Sequence, residues 1–172
     1  MRAWIGLGAN LGEPSRAFAA ALSAIAALPG VRLQCISSLY RSAPVDAQGP
    51  DFLNAVARIE STRSPEALLE ALQAIEADAG RRRPWRNAPR TLDLDLLLAV
   101  DAAGRPLRIT SPSLTLPHPR MHARAFVLAP LAEIDPALAV PGHGSVAELL
   151  AACTGQAIER IGTLALPAGA PP

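Results

Sequence analysis

The pattern of apolar and polar positions divides the chain into short, well-bounded segments. Residues 2–7 (RAWIGL) form an apolar run of strand length that leads into Gly6, Gly8 and Gly12. Helical spacing then predicts a helix over residues 15–28, where Ala17, Ala20, Ala21, Ala24 and Leu28 would allow close packing and Pro29 and Gly30 impose a stop. Two strands are expected over 31–41 and 52–59. The loop between them, SAPVDAQGPD, is too long for a plain hairpin, and long ordered loops tend to be functional. The stretch SPEALLEALQAIEADAG reads as a helix with Ser64 as N-cap, Pro65 at the first helical position, Glu66 in the first turn and Gly80 as the stop. Its apolar stripe is Leu68, Leu69, Leu72 and Ile75. DLDLLLAV, residues 93–100, is the next strand, and 105–109 suits a further short one. Prolines keep the following segment in loop as far as His122. A helix over 123–133, kinked at Pro130, and another over 146–152 complete the pattern, with 164–172 frayed.

Strand, helix, strand, strand, helix, strand is the order of the split βαβ, or ferredoxin-like, arrangement. The fold class expected is therefore α+β: a four-stranded antiparallel sheet core with flanking helices and a C-terminal extension. A doubly wound parallel sheet would need a helix between the second and third strands, and none is predicted. With 172 residues, no internal repeat and no dividing linker, one domain over 1–165 is expected, with 166–172 as a frayed tail.

Composition narrows the function classes. Half the residues are hydrophobic but only 3% are aromatic, so the core is aliphatic and each aromatic residue is informative. A net charge of +1 supplies no global field for nucleic acid or a membrane surface, and neither is expected as a partner. All 16 basic residues are arginine, which excludes mechanisms built on a lysine. Cys35 and Cys153 stand apart and read as small core residues of a cytosolic protein. The N-terminal apolar run is too short for a signal peptide, and a cytoplasmic location is expected. A dinucleotide fingerprint fails by one position, since Leu11 stands where its third glycine belongs.

The basic charge is local. Arg81, Arg82, Arg83, Arg86 and Arg90 fall within ten residues, and Asp93 and Asp95 follow at the entrance to the strand. On a strand these two carboxylates share one face about 6–7 Å apart, while Leu94 and Leu96 face the core. Such a loop and pair suit a polyphosphate with Mg²⁺, which prefers one or two carboxylates plus substrate phosphates. The alternative is a solvated basic loop with an incidental Asp-Leu-Asp, its carboxylates kept apart by solvent or paired to Arg90. His118 and His122 have zinc-like spacing, but Pro119 interrupts the helix that a zinc motif needs and no glutamate accompanies them. They read either as donors to phosphate oxygens or as loop histidines without a role. Phe52 and Phe126 are core residues, or they sandwich a flat heterocycle whose edge Asn54 reads. Trp85 is a lid residue or a loop anchor, and His143 lies between glycines at the surface.

Taken together, GLGANLG, SSLYRSAPVDAQGPDFLNAV, PRTLDLDLLL and LPHPRMHARAFVLAPLAEIDP resemble the 6-hydroxymethyl-7,8-dihydropterin pyrophosphokinases of folate biosynthesis, over residues 3–137. The resemblance implies transfer of the β,γ-diphosphate of ATP to the pterin hydroxymethyl group, with two Mg²⁺ ions and release of AMP. It implies that Asp93 and Asp95 hold the metals and that Arg81 and Arg90 bind ATP phosphates. Arg83 would close with the loop, and Arg124 would follow the transferred group. Leu96, Thr115 and His118 would meet the nucleotide. Phe52 and Phe126 would enclose the pterin, Asn54 would bond its edge, and Ser42 and Val45 would add contacts. Asn10, Gln73 and Glu76 match as supporting positions. The partners implied are two small molecules, bound by a monomer. The chain departs from many members in having Asn87 and Ala88 for Trp-Gly, Pro119 for an aromatic residue, and no loop lysine. Two rival readings are a ferredoxin-like module binding nucleotide or RNA, and a phosphotransferase acting on another heterocyclic alcohol.

Overall fold

Period-two alternation gives the central strand two different faces, and the fold is built on that difference. A computed structural model of the chain describes residues 1–44, 49–80 and 90–167. Its elements are β1 (Arg2–Ala9), α1 (Pro14–Ala27), β2 (Val31–Ile36), β3 (Leu39–Ser42), β4 (Phe52–Ser61), α2 (Pro65–Asp78) and β5 (Asp93–Val100). After β5 come β6 (Ile109–Thr110), β7 (Thr115–Leu116), a 3-10 turn at Met121–Ala123 and α3 (Ala125–Ile134). The chain closes with β8 (Ala139–Val140), β9 (Gly144–Ser145), α4 (Val146–Ala152) and β10 (Ile158–Gly162).

The main sheet is antiparallel in the order β10-β3-β4-β1-β5, with β2 also on β4. The expected ferredoxin-like order is present, but the sheet has six strands instead of four. One added strand comes from a division. The strand expected over 31–41 is two strands along the same edge of β4, because the Ser37 hydroxyl accepts from Val56 N–H at 2.9 Å where a ladder carbonyl would stand. The other is β10, in the stretch ahead of the expected frayed tail, and Leu164 and Leu166 beyond it pack against the core.

On one face Ile5, Leu7, Phe18, Leu22, Ile25, Ile59, Leu68, Leu72, Leu94 and Leu96 form the core between the sheet and helices α1 and α2. Each such fully buried side chain contributes about 1.5–3 kcal/mol. The packing face of α1 is Phe18, Ala21, Leu22 and Ile25, so of the expected row only Ala21 is fully buried, and Ala20 is exposed. The apolar bulk of Phe18, Leu22 and Ile25 outweighs small-residue fit in setting the helix rotation. α2 begins and ends as its caps predict: Ser64 accepts from Ala67 N–H at 3.2 Å, and Gly80 takes a φ of 77° just past the helix.

The opposite face is only half covered. Trp4, Val56, Leu97, Leu98 and Val100 meet Val127, Leu128 and Leu131 of α3 and Val146 of α4. α3 runs through Pro130 within its assigned span, and its far end is tied to the sheet by Asp135, which accepts from Trp4 Nε1 at 2.8 Å and from Arg58. The rest of this face is left open beside the first turn of α3.

Candidate active site

The opening lies over Gly6 and Gly8. In register, Gly8 stands between Asn54 of β4 and Asp93 of β5, and Gly6 stands between Val56 and Asp95. The missing side chains of β1 form the floor, and the neighbouring strands supply the polar groups on either side. A Cβ added at Gly8 would meet only Asn54 Oδ1 and Asp93 Cβ, both at 3.9 Å. The cleft is open to solvent. Ser42, Phe52 and Asn54 line one side, Arg90, Asp93 and Asp95 another, and Arg124 and Phe126 at the start of α3 a third.

The carboxylates arrive together because β5 alternates. Asp93 and Asp95 point to the cleft, while Leu92, Leu94 and Leu96 enter the core beneath. Burial raises the Asp95 carboxyl above its usual range and the charge of Asp93 raises it further, against the pull of His118, Arg90 and Arg124. Arg90 Nη1 donates to Asp93 Oδ2. The Arg90 backbone is itself pinned: its N–H donates to Asn10 Oδ1 at 2.9 Å, and its carbonyl accepts from Asn10 N–H at 3.0 Å and Leu11 N–H at 3.2 Å. Asn10, only 5% exposed, also donates to Pro50 O at 3.3 Å. Beneath β5, the buried Glu76 accepts from Leu94 N–H at 2.7 Å, which ties α2 to the strand between the two aspartates.

Burial lowers the Arg124 guanidinium below its usual range, as do Arg120 and Arg90, with Asp95 and Asp93 opposing. The guanidinium lies 5.3 Å from the ring centroid of Phe126 and has no ion pair among the described residues. Such a crowded cation is relieved by an anion. His118 N–H donates to Leu97 O at 2.7 Å, and its Nδ1 accepts from Arg120 N–H at 3.3 Å. Burial lowers its pKa, against the charge of Asp95, and with Nδ1 taken as an acceptor, Nε2 is left as the donor. On the other wall, Asn54 Nδ2 donates to the buried Ser42 hydroxyl at 3.0 Å. That bond sets the amide so that Oδ1 is left as an acceptor above Gly8.

The structure thus gathers Ser42, Phe52, Asn54, Arg90, Asp93, Asp95, Arg124 and Phe126 around one cleft, with His118 within reach of the charge of Asp95. Thr115 is exposed on β7 and does not line the cleft. The Leu96 side chain is 3% exposed in the core, so only its backbone can face a nucleotide. Leu97 lines the cleft instead, because a register shift opposite Trp4 and Ile5 leaves it as an extra residue on β5. Val45, Arg81, Arg83 and Trp85 lie outside the described residues. Gln73 is exposed on α2. His122 and the exposed His143 stack at 3.8 Å. Sequence reasoning took Gly6 and Gly8 as parts of a failed fingerprint. Their two-residue spacing matches that of Asp93 and Asp95, and this was the available signal for a shared face.

Comparison with known proteins gives a consistent answer. A model of the family described as 7,8-dihydro-6-hydroxymethylpterin-pyrophosphokinase (HPPK) matches residues 4–136. A Pseudomonas aeruginosa protein named 2-amino-4-hydroxy-6-hydroxymethyldihydropteridine pyrophosphokinase is 47% identical over 161 residues, covering 93% of this chain and 96% of its own. A Haemophilus influenzae protein of the same name is 45% identical over 149 residues, covering 86% and 90%. Among solved structures, wild-type Plasmodium falciparum HPPK-DHPS superposes with a TM-score of 0.66 over 88% of this chain and 44% of that one. At 11% identity this last likeness speaks for the fold alone.

Proposed function

The chain belongs to the 7,8-dihydro-6-hydroxymethylpterin-pyrophosphokinase family, and from that premise we propose that the cleft over Gly6 and Gly8 is its active site. The enzyme is a pyrophosphokinase of folate biosynthesis that acts on 6-hydroxymethyl-7,8-dihydropterin with ATP as co-substrate. The observation that carries the site assignment is the convergence, over a glycine floor, of a carboxylate pair and two arginines with two phenyl rings and an oriented amide.

In this reading the pterin ring lies between Phe52 and Phe126, with Asn54 Oδ1 accepting from its edge. Arg90, Arg81 and Arg124 take phosphate oxygens, and Arg83 joins them as the loop closes. His118 donates from Nε2 toward the nucleotide, near Thr115 and the Leu96 backbone. Ser42 holds Asn54, and Val45 adds a contact from its loop. Asp93 and Asp95 would hold two Mg²⁺ ions. The residues fit that charge, because a cation relieves two carboxylates on one face, where burial and then the charge of Asp93 already raise Asp95. When bound, the metal neutralises phosphate charge and can lower the pKa of the substrate hydroxyl. Transfer is in line: the hydroxymethyl oxygen bonds to the β-phosphorus while the bond from that phosphorus to the α,β-bridging oxygen breaks, AMP leaves with that oxygen, and the hydroxyl proton is released to water. The protein lowers the barrier by fixing both substrates and placing fixed positive charge where negative charge develops.

The proposal extends to one domain over 1–165 with 166–172 as a tail, acting as a monomer in the cytoplasm without nucleic-acid or membrane partners. No helix among the described residues is long and apolar enough to cross a membrane. The test is incubation with ATP, Mg²⁺ and 6-hydroxymethyl-7,8-dihydropterin. One AMP per pterin consumed is expected. ADP as the product, or no nucleotide product, would overturn the assignment.

A further inference from the structure

The two walls of the cleft are connected behind it by residues beyond 136, where the family match ends. Gln156 Nε2 donates to Ala123 O at 2.9 Å, and its Oε1 accepts from Ala125 N–H at 2.9 Å. One side chain therefore grips the backbone on both sides of Arg124. The second bond has a clear cause. Ala125 is the first residue of α3, so its N–H has no partner within the helix. Arg124 occupies the N-cap position, makes no side-chain cap bond, and carries only donors. Gln156 supplies the missing acceptor from another part of the chain.

The same segment reaches the opposite wall. Ile158 pairs in register with Ser42, whose hydroxyl holds Asn54. Further along, Arg160 Nε donates to Ser38 Oγ at 2.7 Å, and its Nη2 lies 3.4 Å from Glu133 Oε1. Glu133 in turn accepts from Ser38 and Tyr40, which fixes the last turn of α3 to the start of β3. Residues 156–160 thus touch both ends of the helix that presents Arg124 and Phe126, as well as the strand beside Asn54.

We propose that Gln156 is a positioning residue for diphosphate transfer. By capping α3 from outside the helix it sets the direction of Arg124 and Phe126, and with β10 it sets the width of the cleft between Phe126 and Asn54. This rests on the assignment of that cleft to pterin and phosphate. Small displacements matter there, because stacking and in-line transfer both depend on distances fixed to within a fraction of an ångström.

The test uses the full chain with Gln156→Met, which keeps length and loses both hydrogen bonds. The expected result is a fall in kcat and a rise in KM for the pterin, together lowering kcat/KM by about tenfold to a hundredfold, with KM for ATP little changed. In an Arg124→Ala background the same change should lower kcat by less than about twofold, because the phosphate-binding group it orients is gone, while the rise in KM for the pterin, which runs through Phe126, should remain. Unchanged kcat and pterin KM alongside a lowered unfolding midpoint, or an equal loss of kcat in both backgrounds, would overturn the proposal. If the Met variant does not fold, Gln156→Asn is put through the same comparison. Wild-type AMP release tests the cleft assignment separately. Should the wild type release no AMP, that assignment fails, and the cap is read from hydrogen exchange of the Ala125 amide, expected to quicken by about tenfold or more when Gln156 is lost. Unchanged exchange would overturn it.

Discussion

Replacing Gly8 with valine separates what the floor of the cleft does for folding from what it does for function. Gly8 lies in the interior of β1 with ordinary strand geometry, and an added Cβ finds its nearest neighbours at 3.9 Å, a normal contact distance. The backbone and its neighbours accept the added Cβ without strain. Glycine in a strand interior is about 0.5–1 kcal/mol less favourable than alanine, and a β-branched residue suits a strand better still. Gly8→Val should therefore leave the fold as stable or raise its midpoint by about 1–4 °C for a chain of this size. The two γ-methyl groups, however, would enter the cleft between Asn54 and Asp93, the proposed substrate site. Forcing methyl groups into a fitted interface costs about 1–3 kcal/mol, which at about 1.4 kcal/mol per factor of ten is roughly a 5- to 150-fold loss in kcat/KM for the pterin. The measurements are AMP release against pterin concentration and a thermal melt on the same preparation. A melt lowered by many degrees would show that Gly8 is structural. Wild-type kinetics with an unchanged melt would show that the substrate lies elsewhere.

Three further perturbations test the charged groups. Asp95→Ala should cut turnover by orders of magnitude while the circular dichroism spectrum is retained, and near wild-type activity in magnesium buffer would refute the metal assignment. Arg90→Ala should lower kcat by about 10²–10³-fold, as removal of a fixed stabilising group at a reacting centre does; a change confined to KM for ATP would make Arg90 a ground-state contact only. Glu133 gives a pH dependence of stability. Its burial works to raise the carboxyl, but hydrogen bonds from Ser38 and Tyr40 and the charge of Arg160 hold it below the usual range. A carboxyl depressed in the fold stabilises above its unfolded value of about 4.3, and that stabilisation is lost as pH falls through the folded value. Glu133→Gln should therefore melt below the wild type at pH 7 and converge with it in acid, and a constant gap in melting temperature across that range would refute the linkage.

Much of this architecture could be read from the sequence, and the departures have local causes. Ser64, Pro65 and Gly80 bound α2 because capping is a contest among adjacent backbone groups, and the residues that decide it are neighbours in sequence. The break at Ser37 depends on a hydroxyl reaching Val56 on another strand, which no property of residues 31–41 specifies. β10 was missed because Ile158–Gly162 alternates weakly and takes its strand form from pairing with β3. Leu97 displaces Leu96 from the cleft wall through a shift in register against β1, a relation between two strands rather than a property of either.

The sequence alone determined which chemistry was present: a carboxylate pair on one strand face, a dense group of arginines with no lysine, and few aromatic residues. It also determined the alternation of β1, α1, the strands after it, α2 and β5, because turns, caps and hydrophobic period act over a few residues. Tertiary structure alone decided that Ser42, Asn54, Asp93, Asp95, Arg124 and Phe126 meet. It also decided that two glycines of the central strand leave room for a ligand, and that Gln156 caps a helix starting 31 positions earlier. Those outcomes depend on cross-strand register and packing summed over the whole core, and such long-range sums leave no mark in any short stretch of the chain.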